Sequence, residues 1–285
     1  MGKLMLDPAP EQIADFARDG FLIVERFLDP ARAEAIAARF APLFRGDFEA
    51  GLQPDEWNWR EGRDDPGLTR QICNAWKADR AVAGAVLDEA VGRWIALLMD
   101  WPGARINQDN VIWKPPGAKS LGFHQDDSYQ DWIRPQAMAT CWMALDDTSA
   151  AGGTIEYVRG SHLWDLSGKI EQFHAPEDEK SDLKRAAAAA GADSVEVVPI
   201  EVPRGGVVFH HGRTWHGSGP NRGTTPRRSV VAHCMRSDAE HHPTIRSAVY
   251  SRYKRAGETR MEESFFPILW TRDGYRSGWL RDYLG

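Results

Sequence analysis

Cysteine is scarce: Cys73, Cys141 and Cys234 are the only three in 285 residues, and no two form a CxxC pair. So few, so far apart and odd in number, they exclude a disulfide frame and a zinc–cysteine site, and they predict a reducing, cytoplasmic setting. Basic charge is also in short supply. Lys and Arg number 35 against 41 Asp and Glu, the net charge is −6, and no basic stripe is present, so a nucleic acid is not an expected partner. No apolar run approaches the roughly 18 residues of a membrane span. The opening residues hold no stretch suited to a signal peptide, and Leu6 stands where a myristoylation signal would carry Ser or Thr. Neither an internal repeat nor a long low-complexity linker appears, which predicts a single domain over residues 1–285 of unknown oligomeric state.

Aromatic residues are the opposite case. Twelve Trp is a high number for this length and suits a lined pocket as well as a core. The first hundred residues read as mainly helical. Residues 10–19 form a short amphipathic stretch ended by Gly20, and Phe21 to Val24 a brief apolar strand. Asp29-Pro30 then supplies an N-cap and a proline at the first helical position, leading into a helix over residues 31–44. Between residues 79 and 99, Val82, Val86, Val91, Trp94, Ile95 and Leu98 fall at helical spacing and mark a core face. After Pro102 the texture changes to short β-like runs at 105–113, 122–126, 137–145, 154–158, 195–202, 206–211 and 228–235. That pattern predicts a mainly β fold with flanking helices, a sandwich or barrel. Its parts are a helical N-terminal region over about 1–100, a barrel core over about 101–240 and an insertion over about 163–194. The insertion is polar, then alanine-rich, and either covers a pocket mouth as a lid or is a surface excursion.

Nine histidines are present, and a single one carries little weight. His124-Gln125-Asp126 carries more. If residues 123–126 are extended, positions two apart share a face, so an imidazole and a carboxylate converge while Asp127 points away. His216 lies far along the chain, after the apolar run 205–211, and only tertiary folding brings it to the first pair. Two His and one carboxylate leave open positions on a metal, which suits iron(II) oxygen chemistry, whereas structural zinc closes its shell. Further on, Arg227 and Arg228 precede the apolar run 229–232. Strand alternation sends them to opposite faces, so one points inward, where its planar fork needs an anion such as a carboxylate. A dicarboxylic co-substrate meets that need; the plain alternative is a pair of exposed arginines on an edge strand.

Several stretches together resemble the phytanoyl-CoA dioxygenase family of iron(II)/2-oxoglutarate oxygenases. They are Lys114-Pro115-Pro116-Gly117, Phe123-His124-Gln125-Asp126, the run from Gly152 to His162, and His216-Gly217-Ser218-Gly219-Pro220-Asn221 through Arg227-Arg228. Asp19-Gly20-Phe21 is also similar. The resemblance implies a double-stranded β-helix, a jelly-roll, cupin-like barrel. It implies that His124, Asp126 and His216 hold iron(II) and are catalytic, and that Arg227 binds the distal carboxylate of 2-oxoglutarate. Gln125, Trp142 and Ser218 are implied as further co-substrate contacts, with Asn110 and Arg70 or Gln71 as looser matches. His162 is implied to be structural.

The reaction implied consumes dioxygen and 2-oxoglutarate, releases succinate and carbon dioxide, and hydroxylates an unactivated C–H bond of a small-molecule metabolite. Related halogenases lack the carboxylate that Asp126 supplies; desaturation and ring closure stay open. Two other readings compete: a cupin-like metalloprotein with isomerase or hydrolase chemistry, which leaves Arg227 unused, and an inactive binding module. Trp57, Trp59, Trp113, Tyr129, Trp132 and Trp215 are candidates for an aromatic pocket wall. Residues 163–193 and those after about 235, where the substrate would be selected, match the family poorly, and no coenzyme-A site is evident. A small metabolite, a natural-product intermediate or an amino-acid-like acid is expected as substrate.

Overall fold

In the computed structural model, which describes residues 7–285, helix α1 (Pro10–Asp19) starts on a proline and ends at Gly20, whose φ of 81° is the left-handed conformation of a C-terminal glycine. The signal-peptide and myristoylation expectations concern residues 1–6, outside the described residues. Asp29 accepts hydrogen bonds from the N–H groups of Ala31 and Arg32 and so caps α2 (Pro30–Ala38). The single helix expected over 31–44 is two, because α3 (Phe40–Arg45) follows a break at Arg39. Pro42 has no N–H for the Ala38 carbonyl, and its ring crowds that carbonyl. The helical stretch 79–99 also divides, into α4 (Arg80–Val86) and α5 (Glu89–Leu98), because Asp88 accepts from the Ala90 N–H and starts a new helix. The insertion contributes α6 (Ser181–Ala189), and α7 (Leu280–Leu284) lies near the C-terminus.

Fourteen strands complete the described elements: β1 (Phe21–Val24), β2 (Glu56–Trp57), β3 (Arg70–Cys73), β4 (Gly103–Lys114), β5 (Leu121–His124), β6 (Ile133–Arg134), β7 (Met138–Ala144), β8 (Glu156–Val158), β9 (Val197–Pro199), β10 (Val207–His211), β11 (His216–Ser218), β12 (Arg227–Arg236), β13 (Glu240–His241) and β14 (Ile268–Thr271). The main antiparallel sheet has eight strands, ordered β1-β10-β7-β12-β4-β3-β2 with β14 also on β4; a second has the order β5-β11-β8-β9, and β13 pairs with β6. This is the expected jelly roll, although no ladder joins the two larger sheets among the described residues, so it is an open double sheet rather than a closed barrel. Strands β1 to β3 come from the first hundred residues and β14 from the C-terminal region. Strands of two and four residues such as β2 and β3, carrying Glu56, Arg70 and Gln71, are too short and too polar to announce themselves by apolar alternation.

The two faces of the main sheet divide the labour. On the outer face, Val82 and Val86 of α4 and Val91, Ile95 and Leu98 of α5 bury themselves in one core with Ile72, Val111, Cys141 and Val230 of the strands. Each such side chain contributes about 1.5–3 kcal/mol by leaving water. The inner face presents Trp142, Val208 and Val231 to Ile155 and Tyr157 at the second sheet, and there the packing opens into a cavity. All three cysteines are buried and free. Among the described residues, no helix is long and apolar enough to cross a membrane.

Candidate active site

Antiparallel pairing of β5 with β11 sets His124 directly opposite His216, and their ring centroids lie 4.2 Å apart. Strand β5 ends at His124, and Asp126 opens a short 3-10 turn, so the extended run expected through 126 stops two residues early. Gln125 keeps an extended φ of −113° and ψ of 131°, which preserves the two-residue alternation across the junction. Asp126 therefore faces the same way as His124. Asp127 points elsewhere: its Oδ1 accepts from the Met138 N–H, and burial raises its carboxyl to about 8.

The three side chains present one free donor atom each. His124 Nδ1 lies 3.0 Å from the Gly122 carbonyl and His216 Nδ1 lies 2.9 Å from that of Thr214. A carbonyl only accepts, so both rings carry their proton on Nδ1 and offer the Nε2 lone pair. Burial holds the His216 imidazole well below its usual range, which keeps it neutral. Asp126 Oδ2 accepts from the Thr140 hydroxyl at 2.8 Å and from His210 Nε2 at 3.0 Å, leaving Oδ1 uncommitted. That oxygen is 3.5 Å from His124 Nε2 and 3.6 Å from His216 Nε2, near the roughly 3 Å that adjacent ligands keep around one ion when each bond is about 2.1 Å. The three ligand atoms all lie within 4.8 Å of one another. Burial works against the Asp126 carboxylate, but its imidazole neighbours, with His210 donating directly, hold it well below the usual range. Two imidazole Nε2 lone pairs and one carboxylate oxygen on one side fit a divalent ion with vacant positions.

A directed chain of hydrogen bonds stands behind the carboxylate. Thr140 donates to Asp126, so its oxygen accepts from His233 Nδ1 at 2.8 Å; His233 Nε2 then accepts from the Asn110 amide at 3.0 Å. On the other side His210 Nδ1 accepts from the Tyr157 hydroxyl at 2.9 Å. None of His210, His233, Thr140 or Tyr157 was singled out from the sequence. Counting by twos along β12 from Arg227 reaches His233, and along β10 from Val208 reaches His210, so the alternation rule held the signal for both.

Arg227 and Arg228 do take opposite faces. Arg228 pairs with Asp146 at 2.6 Å. Arg227 is buried against the cavity and donates to the Gly153 carbonyl at 3.2 and 3.3 Å and to Ser229 Oγ at 3.1 Å. No carboxylate lies at hydrogen-bond distance from it among the described residues, one N–H remains on each terminal nitrogen, and burial pushes the guanidinium down to about 10. Beside it Lys114, fully buried, reaches Ser218 Oγ at 2.7 Å and the Gly219 carbonyl. Burial, followed by the charge of Arg227, holds the Lys114 amine well below its usual range. A buried guanidinium without an anion, beside a buried amine that an anion would favour as ammonium, makes a cradle for a carboxylate. In the sequence Lys114 stands only as the first residue of the Lys-Pro-Pro-Gly motif, with no role implied for it.

Ser218, Trp142, Asn110 and Gln71 line the cavity of about 330 Å³ together with His124, Asp126, His216 and Arg227. Gln125 does not reach it, since its amide is spent on the Arg213 carbonyl at 2.7 Å and the Ser167 N–H at 2.8 Å. Arg70 turns the other way and lies between Trp59 and Trp113, 3.8 and 4.5 Å from their ring centres. Of the six aromatic candidates, Tyr129 and Trp132 line the cavity, whereas Trp57, Trp59, Trp113 and Trp215 do not. His162 binds the Ala17 carbonyl at 3.1 Å, away from the site.

Comparison with known proteins gives the same direction. The family model described as phytanoyl-CoA dioxygenase (PhyH) matches residues 16–229. A probable alpha-ketoglutarate-dependent hypophosphite dioxygenase of Stutzerimonas stutzeri is 24% identical over 234 residues, covering 80% of this chain and 79% of that protein. Among solved structures, the alpha-ketoglutarate-dependent carbocyclase SnoK from nogalamycin biosynthesis matches with a TM-score of 0.70 at 23% identity over 91% of this chain and 96% of its own. EctD from S. alaskensis, solved with 2-oxoglutarate and 5-hydroxyectoine, matches with a TM-score of 0.65 at 18% identity over 90% of this chain and 88% of its own.

Proposed function

We propose, from the premise that the chain belongs to the phytanoyl-CoA dioxygenase family and is an iron(II)/2-oxoglutarate-dependent dioxygenase, that it hydroxylates an unactivated C–H bond of a small-molecule metabolite. The observation that carries the proposal is a three-donor cradle next to a buried arginine with no counter-ion. His124 Nε2, Asp126 Oδ1 and His216 Nε2 are the atoms that would hold iron(II). Arg227 and Ser218 would take the distal carboxylate of 2-oxoglutarate. When both are bound, oxidative decarboxylation of the keto acid by dioxygen, to succinate and carbon dioxide, supplies the oxidising power for the C–H bond.

The remaining contributions belong to the side chains. Thr140 and His210 fix the Asp126 carboxylate so that one oxygen faces the ion. An incoming dicarboxylate favours the ammonium form of Lys114, and an ammonium only donates. Ser218 Oγ then accepts from Lys114, and its own O–H is free to donate into the cavity. Arg227 adds a forked pair of donors from the opposite side. Trp142, Ile155 and Val231 line this end of the cavity and keep it apolar and dry between the charged groups. An intact carboxylate at 126 fills the position a halide would need, which favours hydroxylation over halogenation.

Residues 7–285 act in this reading as one catalytic unit. The insertion supports the cover role, since Phe173 lines the cavity with its ring 4.9 Å from that of His124. Three unpaired, buried thiols favour a cytoplasmic setting. Anaerobic titration of the iron(II) protein with 2-oxoglutarate tests the core of the proposal: a visible charge-transfer band develops on binding. A protein that binds the metal and shows no band would belong with the non-oxidative cupin-like enzymes instead. Oxygen-dependent succinate release matched by an oxygenated product then separates hydroxylation from ring closure or desaturation.

A further inference from the structure

We infer that the end of the cavity remote from the metal site is a subsite for an organic ammonium group, with Glu56 as its counter-ion, so that the substrate is a polar amine. The inference rests on the oxygenase reading above and deepens it. Register places Glu56 there. Glu56 pairs with Cys73, Cys73 with Asn110, Asn110 with Val231 and Val231 with Trp142, in one row across β2, β3, β4, β12 and β7. Cross-strand partners share a face, and every member of this row lines the cavity. Strand β2 is three places from β12, so Glu56 sits roughly 14 Å from its row partner Val231 at an interstrand spacing of about 4.8 Å, and His233 lies two residues further along β12. An amine held at Glu56 therefore belongs to an elongated molecule whose oxidised carbon is remote from its nitrogen.

Charge decides the class. Apart from the iron-site Asp126, Glu56 is the only carboxylate lining the cavity, and Arg227, committed to the co-substrate, is the only Lys or Arg. Lys77, Arg252 and Arg60 are engaged elsewhere. Lys77 pairs with Asp55 at 2.8 Å and Arg252 lies 4.0 Å from the same carboxylate, while Arg60 covers the ring of Trp57. Among the described residues Glu56 has no ionic partner, and its close neighbour is the Cys73 thiol. A substrate carboxylate or phosphate would find no cation here and would face an anion. This narrows the earlier expectation, which admitted an amino-acid-like acid.

Independent of Glu56, the cavity wall holds a buried polar atom with nothing to bind. Asn110 is 6% exposed, its amide nitrogen donates to His233, and its Oδ1 has no partner. Asn110 Oδ1 is an acceptor that an N–H or O–H of the substrate would satisfy. The Tyr250 ring, whose hydroxyl donates to Gln108, adds an aromatic face beside Glu56 suited to a cation.

The test uses three probes that share one ring and differ at one end: tyramine, tyrosol and 4-hydroxyphenylacetate. Each is titrated calorimetrically into the full-length zinc-substituted protein saturated with 2-oxoglutarate, whose own binding is measured first. Tyramine is expected to bind at least about tenfold more tightly than either partner, a typical effect of one buried charge pair, and Glu56→Gln is expected to abolish that preference. Equal binding of the three, preference for the carboxylate, no binding of tyramine, or a preference that survives Glu56→Gln overturns the subsite. Failure of the zinc protein to bind 2-oxoglutarate instead removes the oxygenase reading and the subsite with it, so the two failures are distinguished.

Discussion

At Asp126 a single carboxylate faces two ways. One oxygen is turned to the ion site, and the other accepts from Thr140 and His210. His124 and His216 each anchor through a backbone carbonyl instead. Replacement by alanine should therefore separate the three. All of them lose iron binding, measured as metal stoichiometry, but Asp126→Ala also strands a buried hydroxyl and a buried imidazole. Its metal-free form should be less stable than that of His124→Ala by about 1–3 kcal/mol, read in denaturant melts. Equal stabilities would mean that Thr140 and His210 find other partners. Arg227→Ala should weaken 2-oxoglutarate binding by about 2–5 kcal/mol in a direct titration. Arg228→Ala, which removes an ion pair with Asp146, should leave that affinity nearly unchanged; the reverse order would exchange their roles.

At the level of elements, the site depends on a seam between β5 and β11 with no room to spare. A Cβ on Gly217 would lie 2.4 Å from the Phe123 ring, closer than any contact between folded side chains. Gly217→Ala should push the two strands apart where His124 and His216 face each other. The expected outcome is about 1–3 kcal/mol of lost stability together with weakened iron binding; intact metal affinity would show that the seam tolerates movement. Alternation within strands was legible in the sequence, and it is what separates Arg227 from Arg228 and Asp126 from Asp127. Helix ends were legible where Asp29 and Gly20 mark them. The breaks at Arg39 and Asp88 were missed because an apolar stripe keeps its spacing across a short interruption, although Pro42 and Asp88 themselves held the signal.

For the molecule as a whole, one buried carboxyl links stability to pH. Asp109 accepts from the N–H groups of Ala75 and Trp76, yet burial raises its folded-state value from 3.8 to about 7. The folded chain thus holds this proton more tightly than the unfolded one. The resulting stabilisation is fully present below about pH 4 and is lost as pH rises through about 7. Buried histidines such as His241, lowered to about 4, act in the opposite sense between about 4 and 6.5 and so blur the wild-type profile. Comparison with Asp109→Asn isolates the carboxyl. The stability difference, wild type minus variant, should shrink as pH rises from about 4 to about 7 and level off above that. A difference independent of pH would mean that Asp109 is ionised throughout.

Local alternation and motifs contiguous in the chain made a mainly β fold and the order of His124, Asp126 and His216 readable from the sequence, and the family resemblance implied the jelly roll. Only the tertiary structure decided what lies around them. Lys114 behind Ser218, His210 and His233 beside Asp126, and Glu56 at the far wall meet the site through pairings between strands from distant parts of the chain. Gln125, between His124 and Asp126 in sequence, turns away from the cavity. Neighbourhood along a strand is set by a two-residue repeat that any reader of the chain can count. Neighbourhood across a sheet is set by which strands pair and in what register, and that is fixed only when the whole core packs.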